Sequence, residues 1–208
     1  MGADGAKSTV RKKLQIPFEG TTFNKEMYLS DFKFVNPTDD FHVEARIWRD
    51  MTLAMIPVTR DVIRLISNSP NYVDLAPKNL QLGEEIWKSN FRVNHRLAAK
   101  FQEGNVVFLA GDAAHIHSPV GGRGMNIGFE DVFVLISLLK KNQLQRYSEL
   151  RRPILQKMVG QIDFATEMFL GEKTTLRPLI PYFLPTLRAL FSGTVNRFVL
   201  GLNHELGV

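Results

Sequence analysis

The chain has 208 residues, a net charge of +5 at pH 7 and no cysteine. Its hydrophobic content of 44% suffices for the core of one large domain or two small ones. The lack of cysteine excludes disulfides, thiolate metal ligands and a cysteine nucleophile, and it fits a reducing, cytoplasmic location.

Residues 1–13 are polar and basic. They contain no apolar stretch of the kind that forms a signal peptide, and no run in the chain approaches the roughly 18 apolar residues that span a membrane. The Lys and Arg residues of the chain are scattered, which disfavours nucleic acid as a partner and favours phosphate-bearing small molecules. Lys7 and Arg11–Lys13 form a charge run, which by itself is typical of a solvated tail.

Residues 21–95 show short alternating runs, which predict a mostly antiparallel sheet. In Met27–Val35 the alternation places Tyr28, Ser30, Phe32 and Phe34 on one face. We expect Asp61–Ile66 to begin a helix and residues 94–101 to form a short helical segment. Four aromatic side chains in this region fit either of two roles: they line a pocket for a planar substrate, or they fill the core of the sheet. The core is favoured, because aromatic residues in proteins are mostly packing residues. These residues are Phe32, Phe34, Trp48 and Trp87.

Residues 104–139 combine a strand, a glycine-rich loop and a helix. Val106–Ala110 is an unbroken apolar run, which predicts a strand buried on both faces. Asn126–Leu139 is apolar on nearly every side, which predicts a deeply buried helix. The loop backbone can approach a ligand closely at its glycines, and the helix start offers free N–H groups. This layout suits an anionic or carbonyl-rich ligand, and a carboxylate at Asp112 can accept hydrogen bonds from ligand hydroxyls.

Asp112, His115 and His117 supply metal-ligand side chains, but no further cluster completes a site, and we predict no metal. Glu130 and Asp131 fall in the first turns of the helix, where acids are favoured by its dipole, and their predicted role is structural.

The last third of the chain predicts helices. Gln145–Met168 is periodic, with Pro153 near its start or at a kink. Leu176–Leu190 is a broken apolar segment because its prolines are closely spaced, and Val195–Leu202 is a candidate last short helix. We expect the apolar segment to dock on the core; a partner or a membrane surface is the alternative.

The motif at Gly111–Asn126 reads G-D-A-A-H-x-x-x-P-x-G-G-x-G-M-N. It resembles the second flavin-binding motif of the group A flavoprotein monooxygenases, the p-hydroxybenzoate and phenol hydroxylase family. Gly2–Arg11 resembles the same family's D-G segment, and Tyr147–Pro153 matches its Y-x-x-x-R-R-P helix start. The resemblance implies an α/β flavin-binding fold with an inserted α+β substrate sheet and C-terminal helices. In this arrangement residues 1–20 and 96–143 belong to the FAD-binding domain, 21–95 form the substrate sheet and 144–208 are helical.

The resemblance also implies an activity, a monooxygenase reaction. FAD, reduced by NAD(P)H, would activate O2 and insert one oxygen atom into an aromatic or phenolic substrate, so few side chains need be catalytic and none is assigned. Asp112 would hold the ribityl chain of the flavin, and Arg11 would lie near the phosphates or NADPH, with Asp4 ending a strand and a short helix starting over residues 8–13. Arg123 would lie near the flavin or face solvent. The remaining residues expected to bind the cofactor are Gly111, Pro119, Gly121, Gly122, Gly124, Met125, Asn126 and Asp4.

The sequence contains no G-x-G-x-x-G, the element that cradles the ADP half of FAD in this family. We therefore expect a truncated member of the family, and three accounts are open: a truncated product, a partner chain that bears the missing segment, or a fragment of a longer protein. The alternative to an active monooxygenase is an inactive remnant, or half of a split flavoenzyme, that acts as a binding or assembly module.

Overall fold

The computed structural model describes residues 1–35, 42–48, 50–119 and 123–170. Within these residues the chain divides into two compact units. The first unit contains Met1–Thr22 and Asn94–Thr166, and the second contains Phe23–Val93 and residues 167–170. The segments predicted at Leu176–Leu190 and Val195–Leu202 lie outside the described residues.

Five strands account for most of residues 18–98, and they form an antiparallel arrangement. They are β1 (Phe18–Phe34), β2 (Glu44–Ile47), β3 (Thr52–Thr59), β4 (Val62–Ser67) and β5 (Leu82–Ala98). Their spatial order is β2-β3-β4-β1-β5, and the pairs β2/β3, β3/β4 and β4/β1 are antiparallel. The sheet predicted for this region is therefore confirmed.

The two faces of β1 have the predicted alternation. Phe32 and Phe34 are buried in an apolar cluster with residues of β3 and β4, which is the core-filling role rather than the pocket-lining one. On the opposite face Asp31 accepts two hydrogen bonds from Arg64, at 2.7 and 2.9 Å. Trp48 and Trp87 remain partly exposed.

Both helices expected within this region are wrong. The segment from Val62 to Ser67 is strand β4, in which every second residue is buried. Residues 94–98 belong to the end of β5, where His95, Leu97 and Ala98 are buried and residues 94 and 96 are half-buried. In both cases pairing with a neighbouring strand overrides the weak local preference for helix.

The first unit contains the remaining elements. These are α1 (Thr9–Lys13), β6 (Gln102–Glu103), β7 (Val107–Phe108), β8 (His115–Ile116), α2 (Gly124–Lys140) and α3 (Tyr147–Leu170). β6 and β7 are antiparallel, Gly2 forms a parallel bridge with Leu109, and β8 pairs with the end of β5. The core of this unit joins Phe101, Phe108 and Leu109 to apolar residues of α2 and α3.

Three predicted features of this unit need correction. The predicted strand starts too early, since Val106 is 82% exposed and only the segment from Phe108 to Ala110 is buried. Helix α2 is not buried all round, because Ile127, Asp131, Val134 and Leu138 form one buried face and the opposite apolar face is exposed. Pro153 lies inside α3, six residues after its first residue.

Candidate cofactor site

Two short loops lie side by side in the first unit, one from each sequence motif. The N–H of Gly2 donates to the carbonyl oxygen of Phe108 at 2.7 Å, and the N–H of Ala110 donates to that of Gly2 at 3.0 Å. A Cβ on Gly2 would stand 3.0 Å from atoms of Leu109 and Val10, so only glycine allows this close approach. The D-G and G-D segments, far apart in sequence, are thus joined by backbone pairing.

Asp4 caps the short helix that follows the first loop. Its Oδ2 accepts hydrogen bonds from the backbone N–H groups of Thr9 and Val10, at 2.7 and 3.2 Å. The side chain of Ser8 accepts from the N–H of Arg11 at 3.0 Å. The hydrogen bond from Ser8 to Asp4 lowers the pKa of this carboxyl below its usual value. Asp4 therefore shapes the loop through α1.

Arg11 connects the two loops from inside the protein. Its Nη1 donates to the carbonyl oxygen of Ala113 and its Nη2 to that of Ala6, both at 2.8 Å. The guanidinium lies 3.6 Å from the centre of the Phe18 ring, and the residue is only 4% exposed. Burial lowers the pKa of Arg11. The contacts that the structure gives Arg11 are internal; its expected role at cofactor phosphates stays a prediction.

The G-D motif begins with a tight turn. Gly111 has a φ of +58°, in the left-handed region that glycine adopts without strain, and it opens the 3-10 turn Gly111–Ala113. Its N–H donates to Oδ2 of Asp131 at 2.9 Å, and its carbonyl oxygen accepts from the N–H of Ala114 at 2.8 Å. Between these anchored groups the Asp112 side chain is exposed.

A cavity of about 380 Å³ opens between the two loops and α2. Gly5 and Gly111 contribute backbone, Asp112 contributes a carboxylate, and Met125 and Phe129 contribute apolar surface. Gly5, with a φ of +81°, has no atom within 4 Å of the place where a Cβ would stand. The volume is within the usual range for small-molecule sites. Among the described residues, the lining consists of Ala3, Gly5, Ala110, Gly111, Asp112, Met125, Gly128, Phe129 and Val132.

The lining fits part of a flavin nucleotide. Such a molecule has a flat apolar ring system and a hydroxylated chain, and this cavity offers apolar walls on α2 and one exposed carboxylate. The start of α2 supplies the positive end of a helix dipole, which favours negative charge on a nearby ligand. The arrangement can therefore bind a planar ligand through packing while Asp112 accepts hydrogen bonds from its hydroxyls.

The remaining predicted residues are distributed differently. Asn126 lines a separate cavity of about 320 Å³ with Phe129, Glu130 and Phe133. Pro119 is exposed in the loop, and Gly124 is the first residue of α2. Gly121 and Gly122 lie outside the described residues.

Asp131 is the centre of a buried polar network that the sequence did not reveal. This carboxylate accepts from Nε2 of His115 at 2.6 Å and from Nε of Arg151 at 2.8 Å, in addition to Gly111. All three side chains are within 1% of complete burial. Burial acts to raise the pKa of Asp131, but the hydrogen bond and charge of His115 and the charge of Arg151 bring it below its usual value. The only sign of this network in the sequence was an acidic residue, Asp131, within an otherwise apolar helix.

Arg151 and Arg123 both lie near the carboxylate of Glu130, the residue before Asp131. Nη2 of Arg151 lies 3.3 Å and Nη2 of Arg123 lies 3.7 Å from the two carboxylate oxygens of Glu130. Arg123 is 1% exposed, so the expectation that it might face solvent is wrong. Burial lowers the pKa of Arg123. Glu130 and Asp131 have a structural role through ion pairs, but the predicted stabilisation by the helix dipole is wrong, because α2 begins at Gly124 and has no acid in its first turn.

The histidines of the motif have separate environments. His115 belongs to the Asp131 network, whereas Nδ1 of His117 donates to the carbonyl oxygen of Ser118 at 2.9 Å. Burial lowers the pKa of His117. No group of three or more His, Asp or Glu side chains able to hold a metal is found among the described residues.

The fold is that of flavin-dependent hydroxylases. The chain superposes on the OxyS anhydrotetracycline hydroxylase from Streptomyces rimosus with a TM-score of 0.69 and 23% identity, over 98% of this chain and 46% of that one. With p-nitrophenol 4-monooxygenase PnpA from Pseudomonas putida DLL-E4 the TM-score is 0.66 at 21% identity, over 96% and 57% of the two chains.

Sequence comparison identifies a matching family model and relatives of the chain. Residues 68–161 match the model of an FAD binding domain family. The uncharacterized aromatic compound monooxygenase YhjG of Bacillus subtilis is 30% identical over 100% of this chain and 46% of its own length. Pentachlorophenol 4-monooxygenase of Sphingobium chlorophenolicum is 29% identical over 82% and 36% of the two lengths. The chain is thus similar to FAD-dependent monooxygenases of aromatic compounds, and the family resemblance of its motifs is confirmed.

The chain matches only part of the length of each relative. The chain spans less than half the length of these two curated relatives. Within the part of the chain that the structure describes, no helix is long and apolar enough to cross a membrane.

Proposed function

We propose that this chain contributes the flavin-contacting part of an FAD-dependent monooxygenase that hydroxylates an aromatic or phenolic compound. The proposal rests on the cavity of about 380 Å³ that the two motif loops form with α2. The names of the relatives, which include monooxygenases of pentachlorophenol and other aromatic compounds, support the aromatic class of substrate. NAD(P)H is the proposed electron donor, and O2 is the co-substrate.

The residues of the cavity have distinct proposed roles. Asp112 accepts hydrogen bonds from the hydroxylated chain of the cofactor, and Met125 packs against an apolar face. The backbone at Gly5 and Gly111 leaves room for close approach, and the start of α2 stabilises negative charge. When bound, FAD supplies the oxygen-transfer chemistry, so these side chains bind the cofactor, orient it and exclude water from it.

Asp4 and Arg11 do not line the cavity and act on this site through the loops. Asp4 holds the N-terminal N–H groups of α1, and Arg11 holds the carbonyl oxygens of both loops. We propose that the pair keeps the two loops at the spacing that the cofactor requires. The second unit, with its antiparallel sheet, is the proposed substrate domain.

The exposed face of α2 favours a second candidate, a binding or assembly module. Large apolar side chains occupy it from end to end: Met125, Phe129, Phe133, Ile136 and Leu139. A continuous exposed apolar surface of this kind is characteristic of a contact with another polypeptide segment. A split flavoenzyme, in which a G-x-G-x-x-G-bearing chain completes the cofactor site, unites both candidates.

Titration of the purified full chain with FAD tests the proposal. Bound flavin changes its visible spectrum and its fluorescence, and we expect both changes to saturate. A chain that remains free of flavin at excess FAD refutes independent cofactor binding. Recovery of the bound-flavin spectrum on co-expression with a G-x-G-x-x-G-bearing chain of the same family would then favour the split enzyme.

The variant Asp112→Ala tests the carboxylate. The side chain is exposed, so its removal should leave the unfolding temperature unchanged. The loss of a charged hydrogen-bond acceptor should weaken FAD binding by about tenfold or more. Glu149→Gln, an exposed acid on α3, is the matched control. Equal FAD affinity in wild type and Asp112→Ala rules out this role.

A further inference from the structure

Asp131 contacts the turn that carries Asp112. Oδ2 of Asp131 receives hydrogen bonds from the N–H of Gly111 at 2.9 Å and from Nε2 of His115 at 2.6 Å. Oδ1 receives one from Nε of Arg151 at 2.8 Å. The carboxylate is completely buried, and charge-assisted hydrogen bonds in such a setting are strong and directional. Its orientation is therefore fixed by donors on both oxygens.

The backbone that Asp131 holds is the part of the chain that aims Asp112. Gly111 directly precedes Asp112 and lies in the left-handed conformation, with a φ of +58°. A hydrogen bond to its N–H fixes the peptide plane between Ala110 and Gly111. The other end of the turn is held by Arg11, whose Nη1 donates to the carbonyl oxygen of Ala113 at 2.8 Å. Asp112 is thus an exposed side chain on a turn that is anchored at both ends.

We propose that Asp131 is a positioning residue for the cofactor site: it sets the conformation of the Gly111–Ala113 turn and thereby the direction of the Asp112 carboxylate. This inference rests on the proposed flavin-binding function. Asp131 is buried beneath the cavity surface and does not line it, so it acts through the turn.

Substitution by asparagine distinguishes positioning from packing. Asn has nearly the same shape as Asp but a single carbonyl oxygen and an NH2 group that only donates. It cannot accept from Arg151 on one side and from Gly111 and His115 on the other. The Asp131→Asn variant fills the same volume, but it loses the negative charge and its NH2 group faces either Arg151 or the Gly111 N–H, so it should hold the Gly111 N–H less firmly.

A matched control exists in the same unit. His95 and Asp163 form a second histidine–carboxylate pair, with His95 2% exposed, away from the residues that line the cavity. Asp163→Asn removes a carboxylate from a buried histidine without any contact to Gly111. The Asp163 side chain is 38% exposed, so this control reports the loss of a carboxylate partner by a buried histidine and not the loss of a completely buried carboxylate.

The first measurement does not need the cofactor. Amide hydrogen exchange by NMR on the full chain should find the Gly111 N–H protected in the wild type, and its exchange should accelerate about tenfold or more in Asp131→Asn relative to the core amides. In Asp163→Asn it should stay as in the wild type. A Gly111 amide that exchanges freely in the wild-type protein overturns the proposal, even if Asp131→Asn does not fold.

The second measurement is FAD affinity, combined in a double-variant cycle. We expect Asp131→Asn to weaken binding about tenfold, Asp163→Asn to leave it unchanged, and Asp112→Ala/Asp131→Asn to be no weaker than Asp112→Ala alone. The positioning role is overturned if the double variant loses affinity by the product of the two single-variant factors. It is also overturned if Asp131→Asn binds FAD as tightly as the wild type. If the wild-type chain itself binds no FAD, the proposed function fails, while the Gly111 exchange still decides whether Asp131 orders the turn.

Discussion

Each of the two units contains an aspartate–arginine pair, and the two pairs differ in their surroundings. In the first unit Asp131 and Arg151 meet at 2.8 Å with both side chains 0% exposed. In the second unit Asp31 and Arg64 meet at 2.7 Å, but Arg64 is 35% and Asp31 is 11% exposed. Nearly equal distances thus join groups in very different dielectric environments. Burial, rather than distance, determines what is lost when one partner is removed.

The largest effect is expected for Asp131→Ala. Removal of this carboxylate leaves the buried Arg151 with only its 3.3 Å contact to Glu130 and also takes an acceptor from His115 and Gly111. Breaking a buried ion pair in this way costs about 3–5 kcal/mol. The free energy of unfolding from urea titrations should fall by that amount. A decrease in the free energy of unfolding below about 1 kcal/mol would show that burial of the ion pair does not determine the cost of breaking it.

The pH dependence of stability should follow the same carboxylate. The pKa of Asp131 is lower in the folded protein than in the unfolded chain, so its contribution is complete above the unfolded value of about 3.9 and is lost as pH falls through the folded value. The free energy of unfolding of the wild type should therefore decrease below about pH 4. In Asp131→Asn this decrease should be smaller. Identical acid profiles for the two proteins contradict this assignment.

A smaller effect is expected for Asp31→Ala in the second unit. The pair is bidentate, but water reaches Arg64, which also lies 5.4 Å from the Trp87 ring centre and can resolvate when the acid is removed. The expected loss is about 1 kcal/mol, at the upper end for accessible ion pairs. The loss should shrink in high salt. A loss as large as that of Asp131→Ala would remove the contrast between the units.

The smallest effect is expected for Glu84→Gln. Nζ of Lys33 lies 2.7 Å from the carboxylate of Glu84, but both side chains are more than half exposed. The hydrogen bond and charge of Lys33 lower the pKa of Glu84, yet solvent and salt screen the interaction. Thermal unfolding of Glu84→Gln should match that of the wild type. A clear shift would indicate that exposed pairs contribute more to this sheet than their setting implies.

The sequence predicted the elements whose patterns are local. The alternation in β1 follows from residue spacing, the family resemblance predicted the short helix at residues 8–13, and the G-D motif located the turn at Gly111. The strand β4 and the end of β5 were mistaken for helices because each pairs with a strand distant in sequence, β1 for β4 and β8 for β5, although β4 also forms a hairpin with the adjacent β3. Single-chain patterns do not encode such pairing.

The candidate site was predicted in part for the same reason. Asp112, Gly111 and Met125 line one cavity, because the motif joins the turn at Gly111 to the start of α2. The roles of Asp131 and Arg151 depend on the packing of α2 against α3, which brings together residues 20 positions apart. The half-exposed state of α2 was also missed, since apolar composition does not distinguish a face packed inside the chain from one that is open.

The two carbonyl contacts of Arg11 have a consequence for redesign of this protein. The guanidinium is rigid and planar, so the separation of the Ala6 and Ala113 oxygens is limited by covalent geometry rather than by the fit of neighbouring side chains. Lysine, with one ammonium group, cannot hold both oxygens in the same way. A library intended to accept bulkier cofactor analogues should therefore leave the loops intact and vary the helix wall at Met125, Phe129 and Val132, where the dimensions depend on replaceable side chains.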